Sequence, residues 1–506
     1  MNEDNRGQRI AENTLMLYIR MLFMLFLGLF TSRIVLAALG ETDYGVYNVV
    51  GGVVAMFTII SGALNSAVSR FITFEMGKGE GARLGKVYST AVTIQIILSL
   101  IVVLLAEPFG LWFIDNKMTI PPERIPAAVW VLHFSVLSFV INLLSVPQMA
   151  SITAHERMSA YAYIGILDGS LRFATALFIR YSSADRLVVY AALMMLSSLL
   201  VRMAYGWYCR KHFEECRYRP VFEKELFKDM FTFAGWNFIG VTAGVLRDHG
   251  GNMLVNVFSG PAVNAARGLA VQLSGAVQGF VTNFMTAVNP QITKSYASGE
   301  REYMTSLVLR SARMSFFLLL LLVLPVFSNC GYILELWLDE VPDGTTVFVK
   351  LFLILSLSEC LSNPLMTAAL ATGNIRNYQI IVGGLIMLNL PVSYICLKAG
   401  APPESTVVVA IVISQLCLLA RLLVLRKMMA FPVGKYLGEV YVKVLAVTFL
   451  SVLFLPLLPQ ADGRFGHFVL NVVLCVIITA LWIVSVGCSK SEIREIKSVV
   501  LNRFRK

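Results

Sequence analysis

Apolar runs long enough to cross a bilayer follow one another along nearly the whole chain. A spanning helix needs about 20 consecutive, mostly apolar residues. Runs such as 86–114, 304–329 and 465–487 exceed that length and hold at most two charged residues each. They are continuous rather than alternating, which excludes the period-two pattern of a transmembrane barrel. The expected fold is therefore all-α and polytopic.

Composition sets the number of spans. Of 506 residues 57%, about 288, are apolar and 14% are charged, against about 45–50% and 25% in a soluble domain. At about 20 residues per crossing this builds about fourteen spans. They fall at 13–38, 44–74, 86–114, 125–153, 158–180, 185–209, 231–258, 262–292, 304–329, 344–371, 376–398, 404–428, 436–458 and 465–487. Loops and tails then share about 185 positions, too few in any one place for an ordinary soluble domain. Enzyme and receptor architectures with large extramembrane parts are disfavoured. The N-terminus is polar through Asn13 and the first run is too long for a signal h-region, so it reads as a retained span.

Charge gives orientation. With a cytoplasmic N-terminus, the inner gaps carry Lys78, Arg83, Lys86, Arg157, Arg210, Lys211, Arg217, Arg219, Lys224, Lys228, Lys294, Arg301, Arg376, Arg426, Lys427 and Lys435. The tail adds Lys490, Arg494, Lys497, Arg503, Arg505 and Lys506. The outer gaps hold only Lys117, Arg124, Arg180, Arg186, Lys398 and Arg464, beside the acids Glu41, Asp43, Glu335, Asp339, Glu340 and Asp343. This asymmetry places both termini in the cytoplasm. The net charge of +11 is thus mainly topological, with a secondary attraction to anionic membrane lipid, and not a nucleic-acid signal.

The chain also repeats itself. Gly40–Glu80 laid on Gly260–Glu300 matches at Gly40/Gly260, Ala67/Ala287, Val68/Val288, Ile72/Ile292, Thr73/Thr293, Gly79/Gly299 and Glu80/Glu300. At an offset of 217, Leu144–Met149 (LSVPQM) lies on Leu361–Met366 (LSNPLM), followed by Ala154/Ala371. The offsets agree within three residues. Either apolar helices coincide by chance or spans 1–6 duplicate spans 7–12. Duplication predicts an N-lobe over 1–210 and a C-lobe over 211–430, related by a pseudo-twofold axis along the membrane normal. Spans 13 and 14 with the tail, 431–506, lie outside the repeat.

Ionisable residues inside spans are costly and become the functional candidates. Span 1 holds Arg20 and Arg33. Arg70 ends span 2 and either serves a site or snorkels to the surface, which is the simpler reading for Arg202 in span 6. In span 5, Asp168 and Arg172 share a helix face and can neutralise each other. Span 7 contains Arg247, Asp248, His249, Gly250, Gly251 and Asn252. Its charges line a wet cavity or form a packing pair, and its glycines are expected to loosen or bend the helix. Span 8 adds Asn264, Arg267, Gln272, Gln278, Asn283 and Asn289. Glu359 in span 10 is either a proton or sodium site or a helix contact. Arg20, Arg33, Arg172, Arg247 and Arg267 outnumber Asp168, Asp248 and Glu359, and Arg's planar fork suits phosphate and carboxylate. The eight cysteines are scattered; Cys209, His212 and Cys216 form the one close group and lack CxxC spacing. GxxxxGK[ST] and HExxH are absent, so neither ATP hydrolysis nor zinc-protease chemistry is expected.

Two stretches carry a family resemblance. TSRIVLAALGETDYGVYNVVGGVVAMF (Thr31–Phe57) with SRFITFEMGKG (Ser69–Gly79), and NVFSGPAVNAARGLAVQLSGAVQGFVTNFMTAVNPQITKSYASG (Asn256–Gly299), resemble the polysaccharide transporter branch of the multidrug/oligosaccharidyl-lipid/polysaccharide exporter superfamily. The chain looks most like bacterial oligosaccharide flippases of the Wzx type, over essentially all its spans.

The resemblance implies two six-helix lobes in a V around a cavity that opens to one side at a time. It implies transport of undecaprenyl-pyrophosphate-linked oligosaccharide across the bacterial inner membrane, for O-antigen (lipopolysaccharide), capsule or exopolysaccharide synthesis. It further implies a polysaccharide polymerase and chain-length machinery as partners. Related flippases carry essential arginines in spans comparable to those of Arg20, Arg33, Arg70 and Arg267, with Arg247 adjacent. These five are the expected pyrophosphate ligands, with Asn264, Gln272 and Asn283 for sugar. Asp168 with Arg172, Asp248 and Glu359 are expected to couple H+ or Na+ or to form salt bridges. No cofactor or metal is expected. In some relatives spans 13 and 14 form a groove for the lipid tail. Drug-exporting relatives rely on N-lobe carboxylates, which spans 1 and 2 lack at their centres. A cation-coupled exporter and a membrane-embedded polymerase or ligase are the rival readings.

Overall fold

The computed structural model describes residues 3–489 and Glu492, apart from 56, 80, 117, 119, 221, 222, 339 and 460–464. Glu80, Lys117, Asp339, Arg464, Lys490 and the tail bases Arg494, Lys497, Arg503, Arg505 and Lys506 lie outside the described residues. The first twelve helices are α1 (Glu3–Ala55), α2 (Thr58–Lys78), α3 (Gly81–Asn116), α4 (Ile125–Leu143), α5 (Val146–Ala154), α6 (Met158–Ile179), α7 (Arg186–His212), α8 (Lys224–Ala297), α9 (Arg301–Ser328), α10 (Cys330–Trp337), α11 (Thr345–Cys360) and α12 (Asn363–Ala371). There follow α13 (Arg376–Tyr378), α14 (Gly384–Met387), α15 (Asn389–Lys398), α16 (Ser405–Met429), α17 (Val433–Tyr436), α18 (Val442–Phe454) and α19 (Phe465–Trp482). The described residues contain no strand, and the fold is all-α.

Eleven stretches of the described residues are long and apolar enough to cross a membrane. Three other expected spans, 44–74, 231–258 and 262–292, lie in helices α1, α2 and α8 but outside that set. These are the polar ones: they carry Asn65 and Arg70, then Arg247, Asp248 and Asn252, then Asn264, Arg267 and Gln272. The helices richest in candidate site residues are therefore also those least marked by hydropathy.

Straight helices of 53 and 74 residues, the lengths of α1 and α8, would reach about 80 and 110 Å, far beyond a hydrocarbon core of about 30 Å. Each is broken by one glycine: Gly40 at φ 78°, ψ 168° and Gly260 at φ 82°, ψ 177°. That backbone region is essentially restricted to glycine. Gly260→Ala is expected to cost about 1–3 kcal/mol and to lower the thermal midpoint. Gly268→Ala, with open space around its Cα, should leave the midpoint unchanged or raise it. Equal midpoints for the two variants would refute the backbone argument.

Gly40 and Gly260 are partners at offset 220, and the backbone repeats elsewhere at nearly the same spacing. Gly79 and Gly299 both end helices at positive φ (77° and 82°). Pro108 lies inside α3 and Pro325 inside α9. Pro147 and Pro364 occupy the first turns of α5 and α12, where a missing N–H costs nothing. Glu156 and Gly373 both turn through positive φ (58° and 80°).

The chain forms two compact units, Asn13–Phe238 and Met1–Glu12 with Ile239–Lys506. In the first, α4 packs on α3 and α7 around Val102, Ala106, Val131, Leu132 and Leu187. Gly165 and Gly169 bring α6 close to α1. A Cβ on Gly165 would lie 2.7 Å from Arg20 Nε, and one on Gly169 would strike Met24 Sδ. The spacing is the small-xxx-small pattern of close membrane helix packing. Arg124 joins three elements, with Nη2 2.5 Å from Asp43 Oδ2 and Nη1 2.6 Å from Asp185 Oδ2. In the second unit α9 is the most buried spanning helix, packed on α11, α12, α18 and α19.

A second polar tie in the first unit links the α5–α6 loop to the segment after α7. His155 stacks on Phe213 with ring centroids 3.9 Å apart, and its Nε2 lies 2.5 Å from Glu215 Oε1. Burial pushes the Glu215 carboxyl up, but the His155 hydrogen bond and a backbone N–H outweigh it and hold the group below its ordinary value. A carboxylate held lower in the folded than in the unfolded state stabilises above about pH 4.3. It loses that contribution as pH falls through the folded value. Glu215→Gln should lower the melting temperature at pH 7 and flatten its decline between about pH 5 and 3. Superimposable melting curves for the two proteins across that range would exclude a stabilising pair.

Candidate functional site

The charged turn of α8 is held by residues far away in sequence. Arg247 Nε lies 2.9 Å from Asp248 Oδ1, and its Nη1 pairs with Glu359 Oε1 on α11. Arg247 and Glu359 are half-buried, while the Asp248 side chain is 64% exposed. Asp248 therefore trims the charge from outside and Glu359 from within.

Arg267 stands apart. It is 6% exposed, and among the described residues it pairs with no carboxylate. Its Nη1 donates to Asn252 Oδ1, its carbon centre lies 5.3 Å from the Phe352 ring centroid, and its Nε has no partner. The neighbouring glycines explain how it fits. A Cβ on Gly251 would lie 2.7 Å from Arg267 Nη2, and one on Gly250 would lie 2.5 Å from Leu390. The expectation that Gly250 and Gly251 bend the helix is corrected here: the backbone of α8 leaves helical geometry at Gly260. The glycines instead admit a guanidinium and a leucine.

A cleft of about 170 Å³ opens beside Arg247 within the second unit, between α8, α11, α12, α14 and α16. Arg247, Glu359, Ser362, Asn363, Ser414 and Arg421 give it its polar lining. Arg421 donates through Nε to Tyr378 Oη at 3.1 Å. Sequence reading passed over Arg421, as it did Arg310 and Arg313 in span 9. Each lies well inside an apolar run, which was the available signal. The other second-unit candidates are less committed. Asn264 is half-buried with Oδ1 unpartnered, Gln272 is exposed, and Asn283 donates to Gly279 O of its own helix at 2.8 Å.

The first unit presents its arginines on aromatic faces. Arg20 lies 4.5 Å from the Tyr161 ring centroid. Arg70 lies 4.7, 4.2 and 5.9 Å from the rings of Phe71, Phe74 and Phe233. Arg33 is exposed. Asp168 and Arg172 pair at 2.9 Å along α6. A further pair, Glu107 Oε2 to His133 Nδ1 at 2.8 Å, joins α3 to α4.

The family model described as polysaccharide biosynthesis protein matches residues 10–296. The uncharacterized membrane protein EpsK of Bacillus subtilis (strain 168) is 19% identical over 336 residues, 66% of this chain and 65% of that protein. This chain thus spans just under two thirds of that relative's length. Among solved structures, MATE in the bent conformation superposes with a TM-score of 0.73 at 11% identity, over 85% of this chain and 98% of that one. A MOP superfamily transporter from Pyrococcus furiosus, described as having a binding pocket of reverse polarity, gives 0.71 at 11% identity over 86% and 99%. At such identities these likenesses show the fold alone. The family match covers more than half of the sequence: the chain belongs to the polysaccharide biosynthesis protein family, as a multi-pass membrane protein whose fold is that of the solved MATE and MOP superfamily structures.

Proposed function

We propose that the chain is a flippase carrying undecaprenyl-pyrophosphate-linked oligosaccharide repeat units across the bacterial inner membrane by alternating access, for O-antigen, capsule or exopolysaccharide synthesis. The observation that carries this reading is a surplus of intramembrane cations. Asp168, Asp248 and Glu359 each hold an arginine. Arg20, Arg33, Arg267 and Arg421 form no ion pair among the described residues. Unpaired arginines are expensive in a membrane and persist where they bind something. A pyrophosphate is a mobile anion that the guanidinium fork fits.

In this mechanism Arg20, Arg33, Arg70, Arg247 and Arg267 are the pyrophosphate ligands. Asn264, Gln272 and Asn283 contact sugar. The isoprenoid tail stays in lipid or beside the last two spans, 433–457 and 465–487. Coupling follows from the pairs themselves. A proton or sodium ion arriving at Asp168, Asp248 or Glu359 competes with a guanidinium, so loading frees Arg172 or Arg247 for phosphate. Both termini lie in the cytoplasm, and a polysaccharide polymerase takes the product on the far side.

The test is a proteoliposome assay of head-group exposure with an undecaprenyl-pyrophosphate-linked sugar, run beside efflux of a cationic dye. Head-group crossing without dye efflux is expected. Proton- or sodium-driven dye efflux with no head-group crossing would establish the cation-coupled exporter instead.

A further inference from the structure

We propose that the cleft between α8, α11, α12, α14 and α16 is a binding site for a small monovalent inorganic anion of the halide class, held chiefly by Arg421 with Arg247 and the Ser362 hydroxyl. Three observations converge. The first is charge. The lining contains two guanidinium groups and one carboxylate, a net of one positive charge inside a membrane helix bundle. Asp248 belongs to the Arg247 pair but is exposed and does not line the cleft. A monovalent anion cancels the excess. A dianion would overshoot and bury an uncompensated charge, which costs as much as the original one. A cation would be repelled.

The second observation is the supply of donors. Arg421 spends Nε on Tyr378, and its two Nη atoms make no hydrogen bond to the described residues. Arg247 spends Nε on Asp248 and Nη1 on Glu359, leaving Nη2. Ser362 is 5% exposed, lines the cleft, and its Oγ has no partner. A buried hydroxyl without a partner costs about 1–3 kcal/mol, and an anion is an acceptor for it. Ser414 also lines the cleft, its Oγ against that of Ser358, which in turn accepts from Gln415 Nε2 at 2.5 Å.

The third is size. About 170 Å³ corresponds to about five or six waters at about 30 Å³ each. That accommodates a halide with part of its hydration shell, but no lipid-linked sugar. Glu359 then acts as a tethered competitor: it occupies Arg247 when the site is empty and yields part of that contact when the anion enters.

The experiment uses the full chain purified without lipid-linked sugar, so its outcome is independent of the flippase reading. Thermal unfolding is followed as sodium chloride replaces sodium gluconate at constant ionic strength. A ligand at ten times its Kd stabilises by RT ln 11, expected as a rise of about 1–2 °C for a chain of this length. Wild type should show this saturable rise, and Arg421→Gln should lose it. Glu359→Gln should reach half-saturation at about tenfold lower chloride. Ser362→Ala, a small change that keeps the fold, should need severalfold more chloride; it decides the matter should Arg421→Gln fail to fold. Indistinguishable melting in chloride and gluconate, or a full chloride response in both Arg421→Gln and Ser362→Ala, would overturn the proposal.

Discussion

Arg267→Ala is expected to slow head-group crossing of a lipid-linked oligosaccharide by about two orders of magnitude while leaving the melting temperature unchanged or higher. Truncating one partner of a buried charged contact costs about 2–5 kcal/mol, or about 30- to 4,000-fold in transport, if Arg267 holds the pyrophosphate. Its structural role is small, because it forms no ion pair and its Nε is unsatisfied. Removing a buried charge that lacks a carboxylate partner relieves desolvation and breaks no ion pair, at the loss of one hydrogen bond to Asn252. Loss of transport without loss of stability is thus the signature of a ligand-binding arginine. Arg247→Ala should differ, since it strands Glu359 and lowers stability along with transport. Arg267→Lys keeps the charge but not the fork, and should recover only part of the rate. Gly251→Ala, which crowds Nη2, should fall between. Wild-type flipping by Arg267→Ala would remove Arg267 from the site.

The outline of this fold is readable in the sequence wherever a single residue type dictates backbone geometry. Gly40 and Gly260 emerge as identities at one offset and prove to be the two breaks in α1 and α8. LSVPQM and LSNPLM mark two equivalent helix restarts, because proline fits the first turn of a helix at no cost in hydrogen bonds. What escapes the sequence is pairing over distance. Arg247 and Glu359 are 112 positions apart and Arg313 and Glu492 are 179 apart, so neither pair leaves a local pattern. Gly250 and Gly251 show the same limit. Their composition suggests a flexible helix, whereas their use depends on Leu390 and Arg267 arriving from elsewhere. The Asp168–Arg172 pair, by contrast, is visible at once, because four residues on a helix is itself the contact distance.

Glu492 carries the largest expected effect on stability. Ser489 and Glu492 have capping-box spacing: Glu492 Oε2 accepts from Ser489 N at 2.7 Å, and Glu492 N donates to Ser489 Oγ at 3.4 Å. The other carboxylate oxygen pairs with Arg313 Nη2 on α9, while Arg313 Nη1 donates to Glu439 O at 2.9 Å. The two side chains are 6% and 8% exposed, so neither can be rescued by water when the other is removed. Glu492→Ala is expected to cost about 3–5 kcal/mol, the penalty for an uncompensated buried charge. Replacing both, as Arg313→Met with Glu492→Met, should cost less than either single change. Burial raises the Glu492 carboxyl, but Ser489 N–H and Arg313 outweigh it and hold the group below its ordinary value. Its contribution is therefore complete above about pH 4.3 and lost as pH falls through the folded value. A double variant as unstable as the sum of the two single ones would show that the carboxylate and guanidinium stabilise the fold separately, not as a pair.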